Sequence, residues 1–173
     1  MHLATVSVVD LNEPKATKMD LYNALLHVHS VGRWVILLLL LIAIFRSLAA
    51  GNKNFTHSDQ RVGLFLTIVA DIMLLIGIYL YFVGSWGYKQ IEVHGGMGEA
   101  MREPTARFFA VEHLIGMLIA IVLLHIGKAQ GKKDLPHHIK HRRTAIYYII
   151  ALLVIVASIP WPFREIGVGR GWY

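Results

Sequence analysis

Along this chain, long apolar runs alternate with short polar stretches, and four of the runs reach about 20 residues, enough for a helix to cross roughly 30 Å of hydrocarbon. They cover Leu21 to Leu48, Val62 to Val83, Phe108 to Lys128 and Thr144 to Pro162. The pattern predicts an all-α fold, an integral membrane four-helix bundle. Residues 1–20 form a polar N-terminal tail, 21–163 the transmembrane bundle and 164–173 a short C-terminal tail. The first segment carries Asp10, Glu13, Lys15, Lys18 and Asp20 and lacks the basic-then-apolar order of a cleavable leader.

Composition sharpens this picture. Of 173 residues, 55% are hydrophobic and 16% charged, which argues against a soluble domain. The chain has no cysteine, so disulfides, thiolate metal sites and thioether-linked haem are excluded. Any metal must be held by His, Met, carboxylate or backbone. The formal charge of +6 does not point to nucleic acid, because the basic residues cluster in short loops beside apolar spans. Lys128, Lys132, Lys133, Lys140, Arg142 and Arg143 form the densest run. Placing that loop inside puts both termini and the loop from Gly84 to Arg107 outside.

This topology assigns depths to the polar residues inside the spans. His27 and His29 lie in the outer part of span one, and His113, about five residues into span three, reaches a similar level. Gly32 follows His29 by three residues, as Gly116 follows His113, so each glycine shares its histidine's helix face. Two imidazoles from facing helices beside small residues suit a haem iron held by two axial nitrogens. Such ligation favours electron transfer over oxygen binding. Arg33, one turn beyond His29, and Arg107, near the outer mouth of span three, are candidates to neutralise haem propionates.

Competing readings stand beside these. A histidine at a membrane boundary is commonly interfacial, which applies to His27; it is alternatively the true ligand or a quinol-facing group. Met117, four residues after His113, offers a His/Met pair or simply fills the core. Glu112 suits a structural pairing with Arg107 or Arg33. His125, about 18 Å along the helix from His113, raises the possibility of a second haem, but no facing histidine partners it. One haem b is the expected count, with a second left open. His57, His137, His138 and His141 read as a solvated basic surface on the inner side.

Asp71 sits near the middle of span two, where an unpaired carboxylate is strongly disfavoured. Its depth, between His113 and His125, suggests a proton relay involving Asp71 and His125. The plainer reading is a protonated Asp71 bonded to a neighbouring hydroxyl or backbone carbonyl. GGMG, residues 95–98, lacks the context of a phosphate loop and reads as a turn. Trp34, Trp86, Trp161 and Trp172 suit interfacial belts, and IPWPF, residues 159–163, reads as a span ended by proline.

Several of these stretches together resemble a known family. LLHVHSVGRWVILLLL, IGIYLYFVGSWG, RFFAVEHLIGMLIAIVLLHIGKAQGKK, KHRRTAIYYIIALL and IPWPF are similar to the small four-helix bacterial membrane proteins labelled cytochrome b or cytochrome b-like, of the Bacteroidetes type. The resemblance covers nearly all of the chain after residue 20. It implies a bacterial inner-membrane haem b protein with His29 and His113 at the recurrent histidines. The expected function is electron transfer between a quinol pool and a redox partner, by an electron-transfer protein and not a stand-alone enzyme. The alternatives are a non-catalytic subunit or anchor of a larger membrane complex, and a small transporter or proton-conducting protein built on Asp71.

Overall fold

The computed structural model describes residues 13–168, with side chains from residue 19 onward. The described residues are helical, with no strand among them. Four long helices make the bundle: α1 (Glu13–Ala49), α2 (His57–Val83), α6 (His113–Ala129) and α7 (His137–Ser158). Three short helices, α3 (Tyr88–Val93), α4 (Met97–Ala100) and α5 (Pro104–Arg107), form the loop between α2 and α6. Single 3₁₀ turns cover Gln130–Lys132 and Glu165–Gly167.

The helices extend past the apolar spans, because hydropathy marks only the part that lies in hydrocarbon. Helix α1 begins at Glu13, so residues 13–20 of the expected tail are helical, while residues 1–12 lie outside the described residues. Arg170 and Trp172 also lie outside them, with residues 169–173 of the C-terminal tail. Helix α2 starts five residues before Val62 because Thr56 and Asp59 form a reciprocal capping box, a device that stabilises a helix start by about 1 kcal/mol. Asp59 also binds Arg46 at 2.7 Å, which ties the end of α1 to the start of α2. Helix α7 begins after Pro136 and stops at Ser158, just before Pro160.

Around the bundle the order is α1, α2, α6, α7, with α7 closing back on α1. In hydrocarbon, apolar burial alone gives little drive to associate, so close approach of small residues and hydrogen bonds hold such a bundle. The core follows that rule: Ala43, Ala70, Ala120 and Ala151 are buried beside Leu40, Leu66, Leu124 and Tyr148. Gly127 lets the Tyr148 ring lie against α6, and Thr144 donates to the Gly127 carbonyl at 3.2 Å. The outward faces carry Leu38, Phe45, Phe65, Leu75 and Val122, all exposed to the surroundings of the bundle.

In the loop between α2 and α6, Gly95 and Gly96 have φ of 78° and 133°, a backbone that favours glycine, and they make the turn between α3 and α4. Glu103 caps α5 by accepting the Ala106 N–H. That bond holds the Glu103 carboxyl below the usual carboxylate range, helped by the Thr105 backbone and by His94. Trp34 packs against Trp161 at 6.0 Å, and Trp86 against Phe109 at 5.4 Å.

Candidate functional site

His29 on α1 and His113 at the start of α6 come together inside the bundle, toward the end that carries α3 to α5, their ring centroids 6.4 Å apart and their planes at 69°. His29 is half-buried, whereas His27 is exposed. The reason is helical phase, since residues two apart cannot share a face. Of the two histidines in LLHVHSVGRW, only His29 therefore turns toward His113.

The surroundings of His113 follow from how α7 ends. The last carbonyls of a helix have no intrahelical donor, and Pro160 and Pro162 have no N–H to offer. Side chains take that place here. Trp161 Nε1 donates to the Val156 carbonyl at 2.8 Å, and Arg164 Nη1 donates to the carbonyls of Ala157 at 2.8 Å and Ile159 at 3.3 Å. His113 Nδ1 meets the Ser158 carbonyl at 2.7 Å. A carbonyl can only accept, so Nδ1 carries the proton, and in the neutral ring the lone pair is left on Nε2. A carbonyl acceptor behind the imidazole is the usual way a ligating histidine is oriented.

His29 is held differently. Its Nδ1 is buried with no hydrogen-bond partner, and the Met73 carbonyl of α2 faces the same ring. Gly77 makes room for it: a methyl group there would lie 3.1 Å from His29 Cε1. Gly32 and Gly116, the glycines that sequence spacing linked to the histidines, have other neighbours. Met73 fills the space beside Gly32, and the Ser158 side chain fills that beside Gly116. Both serve helix packing in this structure.

A π turn, Phe108–Glu112, runs directly into His113. Turns of this kind are rare and recur at functional sites. Tyr81 of α2 donates to the Ala110 carbonyl within the turn at 3.0 Å, and the Phe108 ring lies 6.0 Å from that of His113.

Just before His113, Arg107 pairs with Glu112 at 2.6 Å, the structural pairing expected for Glu112. Arg107, Arg164, Phe108 and Glu112 line a surface cleft of about 240 Å³. Arg164 also stacks over Phe108, 5.4 Å from the ring centre. Arg33 lies over the rings of Trp34 and Trp161, at 5.2 and 5.9 Å. Met117 packs against the core.

The remaining expected residues sort clearly. Asp71 bonds not to a hydroxyl or a backbone carbonyl but to His125, with Oδ1 to Nε2 at 2.9 Å. The pair lies on the outward surface between α2 and α6, away from His29 and His113, and His125 faces Asp71 in place of a second histidine. His141 corrects the expectation of a solvated basic surface: it is 3% exposed, its ring 4.8 Å from that of Phe55. Because α7 begins at His137, His141 falls on the buried face with Thr144, Ala145 and Tyr148. His137 Nδ1 accepts the Phe55 N–H at 3.0 Å, a structural tie.

Sequence reasoning missed Gly77, Ser158, Tyr81 and Arg164. Only Arg164 had a signal, as a cation placed just after a proline-ended span.

The donor set around His29 and His113 can be tested against a bound metal group. Among the described residues no three His, Cys, Asp or Glu side chains gather as a cage. A porphyrin brings its own equatorial nitrogens and asks the protein only for axial ones. An imidazole nitrogen sits about 2 Å from a metal it ligates, with the ring centre about 1 Å further back, so two axial imidazoles place their centroids about 6 Å apart. The observed 6.4 Å and the buried, unpartnered His29 Nδ1 fit that requirement.

Fold and site together define a multi-pass, helical membrane protein with a histidine pair inside its bundle. No family model, curated protein or solved structure matches the chain.

Proposed function

We propose that this protein is a b-type cytochrome of the bacterial inner membrane, holding one haem b between His29 and His113 and passing electrons between a quinol pool and a partner. The observation that carries the reading is the 6.4 Å separation of the two rings, with His113 Nδ1 already bound to the Ser158 carbonyl. His29 and His113 would hold the haem, which when bound would supply a one-electron couple. The chain's own residues orient and insulate. Ser158 fixes the His113 tautomer, Gly77 leaves space for the His29 ring, and the π turn with Tyr81 sets where His113 enters the bundle.

In the cleft beside Phe108 the Arg107 expected from sequence is already paired with Glu112 and Glu165 also lines the wall, so Arg164 is the cation that supports propionate binding there. Arg33 sits among tryptophans, where a weakly hydrated guanidinium is well accommodated. The basic loop between α6 and α7 supports an inside location for that loop, with both termini outside. The resemblance to small cytochrome b-like proteins supports the bacterial inner membrane. A transporter built on Asp71 loses support, because Asp71 and His125 face out of the bundle.

The test is the absorption spectrum of the purified protein, oxidised and then reduced with dithionite. A sharp reduced α band is expected in wild type after expression with ample haem. His29→Ala and His113→Ala should each abolish it, and His27→Ala should leave it in place. A wild-type spectrum without the band removes the cytochrome reading. A band that survives both of the first two substitutions removes the ligand assignment.

A further inference from the structure

Asp71 lies 14 residues from His57 and 12 from Val83, close to the midpoint of α2. Its bond to His125 is therefore deep in the span. Ionisable residues at this depth almost always face a bundle interior or a water-filled cavity. These face outward: the side chains are 49% and 46% exposed, amid Ile68, Leu75 and Val122 on the same surface. The bond to each other is the only one either side chain makes among the described residues, which leaves Asp71 Oδ2 and His125 Nδ1 open.

We propose that this α2/α6 face is the contact between two copies of the chain, closed by the Asp71–His125 pairs of both. The argument is complementarity. Each pair presents one open carboxylate oxygen and one open ring nitrogen, which is what an isologous two-fold contact needs, since the same patch must match itself. Across the axis, Nδ1 of one copy meets Oδ2 of the other, and the reverse. Counted as imidazolium and carboxylate, or as imidazole and acid, each pair carries two protons. The four protons fill the four bridges of the closed ring and leave no net charge in hydrocarbon.

Apolar faces alone associate weakly in lipid, and interhelical hydrogen bonds add the specificity that they lack. The surrounding Ile68, Leu75 and Val122 then meet their counterparts around the polar centre. The contact owes nothing to a bound haem, so it stands or fails separately from the proposed function.

The absence of native cysteines makes the test clean. Leu75→Cys and Val122→Cys, each introduced alone and treated in native membranes with a bismaleimide, should give covalent dimers. Leu38→Cys, exposed on α1, should give none. Light scattering of the detergent-solubilised protein, corrected for detergent, should find two chains. Asp71→Leu or His125→Leu should weaken the association about tenfold or more, with helicity by circular dichroism unchanged. The exchanged variant, Asp71→His with His125→Asp, rebuilds the same ring and should restore the dimer, which separates loss of the contact from loss of the fold.

A monomeric wild type overturns the proposal. So does a dimer indifferent to Asp71→Leu, or cross-linking of Leu75→Cys only to other proteins. Loss of the reduced haem band in wild type leaves it intact.

Discussion

The His29–His113 pair inside the bundle and the Asp71–His125 pair on its surface both join two helices through titratable side chains, yet they solve opposite problems. His29 and His113 turn inward. His113 rests on the orphan Ser158 carbonyl at the end of α7, while His29 keeps a buried nitrogen unpartnered. Asp71 and His125 satisfy each other and keep their remaining polar atoms at the outer surface. An unsatisfied ring nitrogen beside a second imidazole inside the bundle is what the proposed haem site uses. One at the outer surface points to something that arrives from the side. The same residue chemistry is thus given two purposes by the direction it faces.

The contrast can be broken at one end without touching the other. Gly77→Leu places a side chain where even a methyl comes within 3.1 Å of the His29 ring. The expected outcome is loss of the reduced band, with haem content down at least about tenfold and overpacking costing about 1–3 kcal/mol. Cross-linking through Leu75→Cys should persist in that background. If the dimer is lost as well, the two regions are one cooperative unit and the contrast fails.

Gly116→Val acts on the packing beneath the site, since its side chain must displace that of Ser158. A penalty of about 1–3 kcal/mol is expected, read as a lower Tm together with a shifted band as α7 moves off α6. Unchanged Tm and spectrum would show that Ser158 gives way freely and that its carbonyl does not fix His113.

Tyr81→Phe removes only the donor to the Ala110 carbonyl in the π turn. The cost should be about 1 kcal/mol, typical of a single hydrogen bond. A small change in the haem midpoint potential with full haem content is expected, and an unaltered potential would mean that the turn does not set the His113 position.

The smallest effect is at Glu103. Its carboxyl is held below the usual range by the Ala106 N–H, so its cap contribution is complete above the unfolded value of about 4.3 and disappears as pH falls through the lower folded one. Amide exchange at Ala106 should quicken below that point, while cross-linking through Leu75→Cys measured at pH 6 and 8 should be equal with Glu103 and with Glu103→Gln. Acid-insensitive exchange at Ala106 would remove the cap assignment.

Much of this was legible from residue order. The four spans could be read from run length, and matched depth pointed to His29 and His113 before any coordinates. What depth cannot give is azimuth. Asp71 and His125 were each assigned a level, but which way they face depends on how α2 and α6 rotate against their neighbours. His141 looked like one of several loop histidines because apolar run length understates where α7 begins. Gly77 and Ser158 were invisible for a related reason: each matters only through a residue on another helix, and neither has a local pattern that names its partner. The π turn likewise leaves no mark on the hydrophobic period of Phe108–Glu112.

The bond from His113 to the Ser158 carbonyl also bears on the order of events during synthesis. Chains are made from the N-terminus onward, and early segments begin to fold before later ones exist. Both histidines leave the ribosome well before residue 158, so a nascent chain holds the two rings without the group that fixes one of them. Only when the last span is in the membrane and its proline-ended terminus has formed does His113 acquire its fixed tautomer. The end of α7 thereby completes the surroundings of His113 last, and a chain stopped before Ser158 holds that ring without its carbonyl partner.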